Sequence, residues 1–272
     1  FEGITSYYDD LMLCRAGLIN ANRSITLLAK NITAVQRTRV HSKQTLAESS
    51  YYAWTKFYKQ DESAINNIVS YYSKGSLAAL SLDLHLRIKT KGRTSLDAVM
   101  KALWKQYGRK GIGIPEDGIE AAAAKVSGLK LNNFFDKSIR STQPLPLKKL
   151  LRHAGIALDF TAPHNALDSG GVINEPANTK VKKIKHDLGF TYTDTPTGLR
   201  VKQVFDNSAA QQSGLAPDDM IVAMNRTKPS KSNVQRIVDL EKKNISIPIH
   251  IFRDDVLHTL QFKIEPAQKN TA

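Results

Sequence analysis

The spacing of apolar residues changes period partway along the chain, from helical to strand-like. Leu96, Val99, Met100, Leu103, Trp104 and Tyr107 recur three or four residues apart, one stripe of an amphipathic helix. Thr94-Ser95 offers that helix a cap and Gly108 a stop. Pro115 opens a second helix. Glu116, Asp117 and Glu120 fill its first turns, where the helix dipole favours negative charge, and Gly128 closes it. The window from Ser76 to Ile88 is apolar nearly all round, the pattern of a helix buried inside a bundle. Between Thr161 and Thr179 the periodicity breaks, and Pro163, Gly170, Gly171 and Pro176 among small polar residues read as linker. From Asp187 the period is two. Ile245, Ile247, Ile249 and Ile251 alternate with other residues, as do Leu260, Phe262 and Ile264. Pro248 has no N–H to give a ladder, which predicts an edge or bulged strand. Two short helical windows interrupt the strands: Ser208–Ser213, ended by Gly214, and Ser232–Lys242. The expected fold is multidomain α + β: a helical part over 1–160, a linker over 161–185, a small β-rich domain over 186–266 and a tail over 267–272.

Length fits this division, since 272 residues are about two domains' worth. With 41% hydrophobic and 24% charged residues the chain has enough apolar material for ordinary cores. It has no apolar run of the roughly 18 residues that would span a bilayer, so no membrane span is expected. The single cysteine, Cys14, excludes an internal disulfide and a cysteine zinc site. It lies on the apolar side of the first helix and reads as core, and it favours a reducing, cytoplasmic setting. The net charge is 39 − 25 = +14, of which 24 − 13 = +11 falls in residues 1–160. These charges are dispersed along helices and loops. The densest run, Lys180, Lys182, Lys183 and Lys185, sits in the linker, and no nucleic-acid module accompanies it, so no nucleic-acid partner is expected. The opening Phe1-Glu2-Gly3 lacks both a methionine and a signal-type segment, which reads as the interior of a longer polypeptide.

The segment Asn207-Ser208-Ala209-Ala210 to Gly214-Leu215-Ala216-Pro217-Asp218-Asp219, followed by the apolar Met220–Met224 and Asn225, resembles PDZ domains of bacterial proteases. Asp218 stands where that pattern has a turn glycine, a substitution Asp tolerates. PDZ domains add a C-terminal peptide to a sheet edge and hold its carboxylate on backbone N–H groups. The matching loop here is Leu188-Gly189-Phe190, and the implied partner is a C-terminal peptide. The alternative is a PDZ fold that packs on its neighbour and binds no free peptide.

In the helical part, Glu2-Gly3-Ile4-Thr5-Ser6-Tyr7-Tyr8-Asp9-Asp10-Leu11, Gln44-Thr45-Leu46-Ala47-Glu48-Ser49-Ser50 and Tyr72-Ser73-Lys74-Gly75 occur in this order. Taken together they resemble the glycyl-aminopeptidase family of zinc metallopeptidases, relatives of aminopeptidase N that commonly carry a C-terminal PDZ domain. Ile4 replaces the usual aromatic residue. The resemblance implies a C-terminal portion of a zinc aminopeptidase that releases small N-terminal residues, glycine or alanine, from peptide substrates. It implies that Glu2 is the third zinc ligand. It also implies that Tyr72 donates a hydrogen bond to the tetrahedral oxyanion, with Tyr71 as competitor for that role. A carboxylate suits zinc because two histidines four apart on one helix leave a tetrahedral ion short of one protein ligand and a water. The departure is large. The seven histidines are His41, His85, His153, His164, His186, His250 and His258, and no two are four apart, so His-Glu-x-x-His is absent. The chain alone is therefore expected to hold zinc poorly and to be inactive. A non-catalytic scaffold whose PDZ module binds protein C-termini is the competing reading.

Overall fold

The computed structural model describes residues 1–38, 40, 43–165, 168–171 and 183–272. His41, Lys180, Lys182 and most of the expected linker lie outside the described residues. The helical part contains α1 (Glu2–Arg15), α2 (Ala21–Arg37), α3 (Leu46–Tyr51), a π-helical turn (Ala53–Phe57), α4 (Ala64–Asn67), α5 (Ser73–Lys89), α6 (Leu96–Gln106), α7 (Gly118–Ser127), α8 (Asn132–Ser138) and α9 (Leu147–His153). The β-rich part contains β1 (His186–Asp187), β2 (Phe190–Asp194), β3 (Leu199–Val204), α10 (Ala209–Gln212), β4 (Met220–Met224), α11 (Val234–Asp239), β5 (Ser246–Arg253), β6 (Val256–Lys263) and β7 (Glu265–Pro266). The fold is thus helical first and β-sheet second, as the change of period predicts.

Two compact units form. One comprises Phe1–Ser24, His41–Phe57 and Val69–Asp159; the other comprises Ile25–Val40, Tyr58–Ile68 and Phe160–Ala272. Two stretches of the helical region therefore fold with the β-rich part.

In the first unit α5 is the central helix, with ten buried residues, and it contributes to a core that Leu86, Leu96, Val99 and Ala123 help to fill. Burying an aliphatic side chain such as Leu86 contributes about 1.5–3 kcal/mol, which is why a helix apolar on all sides ends up enclosed. Ser95 is the residue preceding α6, as predicted, but Trp104 lies 62% exposed and off the buried stripe, and Gly108 begins a single 3₁₀ turn after the helix has ended at Gln106. Pro115 stands in a turn that accepts the Gly118 N–H, so α7 starts three residues later than the sequence suggests. Gly128 ends it in the left-handed conformation, φ 70°. Cys14 is half-buried and not a core residue, because α1 buries none of its residues fully.

The second unit is built on a five-stranded antiparallel sheet, order β2-β3-β4-β5-β6, beside a small β1-β7 pair. Its core includes Leu199, Ile221, Ile249, Ile251 and Phe262. β5 lies between β4 and β6, so of the edge or bulged strand that Pro248 suggested it is not the edge, while the β4–β5 ladder does shift register between Ile221 and Ala223. The proline is accommodated because β4 ends opposite Ile249. Beyond that point only the Pro248 carbonyl is used, accepting the Asn225 N–H at 2.9 Å. β5 and β6 join through Asp254-Asp255, both at positive φ (48° and 62°), the geometry that suits a two-residue hairpin loop. Asp218 takes φ 68°, as its place at the turn requires. The next residue, Asp219, is buried and clamped by Arg253 through two contacts of 2.7 Å. The expected linker residues 161 and 171 pair with the tail, Thr161 bridging Thr271 and the Gly171 N–H reaching the Ala272 carbonyl.

Candidate functional site

α1 and α5 meet at a pair of glycines. A Cβ on Gly3 would lie 2.5–2.8 Å from the Gly75 backbone, and one on Gly75 would lie 2.8 Å from the Gly3 Cα. Only glycine allows two helix backbones to come this close. Farther along α1, Tyr7 donates its hydroxyl proton to Asp83 of α5 at 2.8 Å. Later residues of one helix thus meet later residues of the other, and the two helices run in the same direction with their N-termini together. Glu2 is the first residue of α1, and Tyr72 directly precedes α5. The glycine contact therefore brings the two sequence-predicted residues to one end of a helix pair.

Glu2 is exposed. The Thr5 hydroxyl donates to its carbonyl at 2.8 Å and approaches its Oε2 at 3.3 Å. Tyr72 is half-buried, while Tyr71 is only 7% exposed. Their rings stack 4.6 Å apart, and Phe57, delivered by the π-helical turn, tilts against both, at 4.7 Å from Tyr71 and 5.7 Å from Tyr72. Behind this end, Asp83 is buried and accepts from Tyr7, from Arg87 Nε at 2.9 Å and from the Leu96 backbone N–H at 2.7 Å. Burial first, and then the Asp83 charge beside it, push the Tyr7 phenol far above the ordinary tyrosine range. Tyr7 therefore stays a neutral hydrogen-bond donor that ties α1 to α5.

Among the described residues no three His, Cys, Asp or Glu side chains gather where they could hold a metal ion. Zinc needs three protein ligands, and Glu2 would be one of them. The residues present thus fit a single edge of a zinc site and not a complete one.

In the β-rich unit, Leu188 and Phe190 are buried in the core, which turns the backbone between them outward at Gly189, φ 73°. The Gly189 carbonyl accepts from the Phe205 N–H at 2.9 Å and the Ser208 hydroxyl at 3.1 Å. The first of these bonds flanks the Phe190–Val204 pair and points the Phe190 N–H toward the outer edge of β2, where a peptide strand could add. The Gly189 N–H donates to Asp187 Oδ1 at 3.1 Å, so a carboxylate of the chain itself already holds one donor of the loop.

Sequence reasoning missed Phe57, Asp83 and Asp187, and it used Lys74 only to set a motif's register. The glycines Gly3 and Gly75 were visible signals of a close approach. Nothing in the pattern marked Phe57, since π-helical turns leave no period of their own.

Residues 1–78 match the family model of the M61 glycyl aminopeptidases, and residues 178–251 match that of the PDZ domain. The chain is similar to an aminopeptidase N family protein from Idiomarina loihiensis, with 34% identity and a TM-score of 0.92. The match covers 99% of this chain and 45% of that protein, so the chain spans less than half of its relative's length. A serine endoprotease from Yersinia pestis matches at 22% identity and TM-score 0.26, covering 33% of this chain and 32% of that one. The HtrA3 PDZ domain bound to a phage-derived ligand matches at 22% identity and TM-score 0.27, covering 30% of this chain and 88% of that one. No curated protein matches the chain. The likeness to the M61 glycyl aminopeptidases thus lies in residues 1–78, and that to the PDZ domain in residues 178–251.

Proposed function

We propose that this chain is the C-terminal portion of a zinc aminopeptidase that releases glycine or alanine from peptide N-termini, and that it supplies two parts of the active site. Glu2 offers one carboxylate to the metal, whose two imidazoles and general base come from a His-Glu-x-x-His segment outside residues 1–272. A zinc ion bound there would acidify a water and polarise the scissile carbonyl. Tyr72 donates a hydrogen bond from its phenol to the oxyanion that forms on that carbonyl, a contact made only as the tetrahedral centre develops. The observation that carries this reading is the Gly3–Gly75 contact, which sets Glu2 and Tyr72 at one end of the α1–α5 pair. The burial of Tyr71 supports Tyr72 over its neighbour, because a donor to substrate needs an exposed face.

The experiment is turnover of glycyl- and alanyl-p-nitroanilide by the longer polypeptide containing this chain, with zinc content measured alongside. Chelator-sensitive release of the first residue is expected, and it should be lost in Tyr72→Phe with zinc retained. A polypeptide that carries no zinc and releases nothing overturns the reading. In that case the competing one stands, a scaffold whose PDZ module binds C-termini, as the lack of a three-ligand cluster among the described residues would favour.

A further inference from the structure

The backbone that leads into Tyr72 follows neither helix nor ladder at residues 68–70. Its N–H and C=O groups therefore need partners of another kind. At Val69 both partners are side chains of the motif at residues 44–50. The Val69 N–H donates to Gln44 Oε1 at 2.8 Å, and the Val69 carbonyl accepts the Ser49 hydroxyl. Gln44, Ser49 and Val69 are all buried, where a polar side chain settles only with its bonds made. Between the two side chains a capping box starts α3. Thr45 accepts the Glu48 N–H at 3.1 Å while Glu48 Oε2 accepts the Thr45 N–H at 2.8 Å. The box fixes the start of the helix, so Gln44 just before it and Ser49 one turn in reach the same residue. Beyond α3 the chain enters the π-helical turn, whose last residue is Phe57. Such turns are rare and recur at functional sites. The Phe57 ring lies 4.7 Å from that of Tyr71 and 5.7 Å from that of Tyr72, and the two tyrosine rings stack at 4.6 Å.

We propose that α3 and its π-helical turn form a bracket that aims the Tyr72 phenol, with Gln44, Ser49 and Phe57 as positioning residues. Gln44 and Ser49 fix the backbone three residues ahead of Tyr72. Phe57 and Tyr71 limit the swing of its ring from the side. The bracket deepens the peptidase reading and rests on it, because an oxyanion donor is the kind of group for which aim matters. A misplacement of about 1 Å can cost about a hundredfold in rate.

The test is turnover of glycyl-p-nitroanilide by the zinc-loaded longer polypeptide. Gln44→Met and Phe57→Leu should each lower kcat about tenfold or more, with KM and zinc content near wild type. Phe57→Tyr, which keeps the ring, should restore kcat. In a Tyr72→Phe background neither change should cost anything further, because the donor they position is gone. A change that merely loosened the fold would add its loss in both backgrounds. A second readout needs no turnover. In the 272-residue chain labelled with 3-fluorotyrosine, the Tyr72 line is assigned by its absence in Tyr72→Phe, and it should move in Gln44→Met, where every ring is kept. Where Gln44→Met does not fold, Ser49→Ala takes its place in both measurements. Unchanged kcat in the folded variants, full additivity with Tyr72→Phe, or an unmoved fluorine line overturns the bracket. Absent turnover in the wild type, or full turnover in Tyr72→Phe, overturns the peptidase reading and the bracket's part in it. A fluorine line that still moves then marks the failure as one of the reading and not of the bracket's geometry.

Discussion

Tyr71 and Tyr72 stack on one another, and Tyr71 is buried where Tyr72 is half-buried, the difference on which the role proposed for Tyr72 rests. If Tyr72 donates to an oxyanion, Tyr72→Phe in the longer polypeptide should lower kcat about 10²- to 10³-fold, the usual cost of removing one such donor. KM and zinc content should stay near wild type, because the phenol meets neither the metal nor the ground-state carbonyl. Tyr71→Phe keeps its ring packing against Phe57 and should leave kcat within about threefold. Equal losses in the two variants would remove the assignment. A second residue-scale argument concerns Asp187. Its Oδ1 accepts the Gly189 N–H, so a peptide carboxylate entering the loop meets a like charge and a donor already in use. Asp187→Ala should therefore tighten binding of a free C-terminal peptide, by about tenfold if one charge-assisted bond is recovered, and leave an amidated peptide unchanged. Isothermal titration with the two peptides checks this, and equal affinities for both in the wild type and the variant would mean that the loop holds no carboxylate. Gly189→Val is a poor probe, because a Cβ there lies 2.5 Å from Ser208 Cβ at φ 73° and would damage the fold itself.

The pairing of α1 with α5 is the element on which the candidate site depends. In an ordinary helix, replacing glycine by alanine gains about 1 kcal/mol. At Gly3 or Gly75 the new Cβ meets backbone at 2.5–2.8 Å, and backbone cannot move aside without separating the helices. Overpacking of this kind costs about 1–3 kcal/mol, so Gly75→Ala should lower the melting temperature despite its helix propensity, and it should carry Tyr72 away from Glu2. An unchanged melting temperature would show that the contact is looser than the geometry indicates. Nearby, Asp97 binds Arg15 at 3.0 and 3.1 Å and accepts the Tyr8 hydroxyl at 2.7 Å. The Arg15 hydrogen bond, and after it the Tyr8 hydroxyl, hold this carboxyl below the usual aspartate range. A carboxyl lowered by folding contributes stability above its unfolded value, near pH 4, and loses it as pH falls through the folded value. Asp97→Asn should therefore flatten the acid limb of thermal stability below about pH 4 and lower stability by a constant amount above it, where the wild type carries the full contribution. These elements differ in how far the sequence revealed them. The enclosed α5, the Gly128 stop and the strand alternation are set by local pattern and were legible. The interior place of β5 was not, because Pro248 obeys the edge rule only until a neighbouring strand ends beside it. The exposure of Trp104 was hidden too, since apolar spacing marks a stripe without saying which of its members a partner covers.

For the whole molecule, the meeting of Glu2 and Tyr72 at one helix end is legible in motif order, but the metal site proposed there is not, because metal binding is a property of ligands from several segments. Among the described residues Glu2 belongs to no group of three His, Cys, Asp or Glu side chains that could hold a metal, and a lone carboxylate in water holds zinc weakly against hydration. The β-rich unit is more self-contained. Its core is continuous, and stretches of the helical region, Ile25–Val40 and Tyr58–Ile68, fold with it. Asn66 illustrates this by donating to the Val204 carbonyl at 2.7 Å and accepting the Asp206 N–H at 2.9 Å. Two properties should therefore separate when length is varied. The 272-residue chain, after dialysis against zinc, should retain less than about one-tenth of an equivalent, since a single protein ligand leaves the ion mostly hydrated. The longer polypeptide with a His-Glu-x-x-His segment should retain about one equivalent. There Glu2→Gln should cost about 10²-fold or more in zinc affinity, because an amide oxygen replaces an anionic ligand while helix α1 is undisturbed. Metal content by atomic absorption, paired with far-UV circular dichroism to confirm folding, reads all three species. Stoichiometric zinc in the short chain, or undiminished zinc in Glu2→Gln, would remove Glu2 from the metal site. Tyr72 could then still act, but on a carbonyl activated by some other set of ligands.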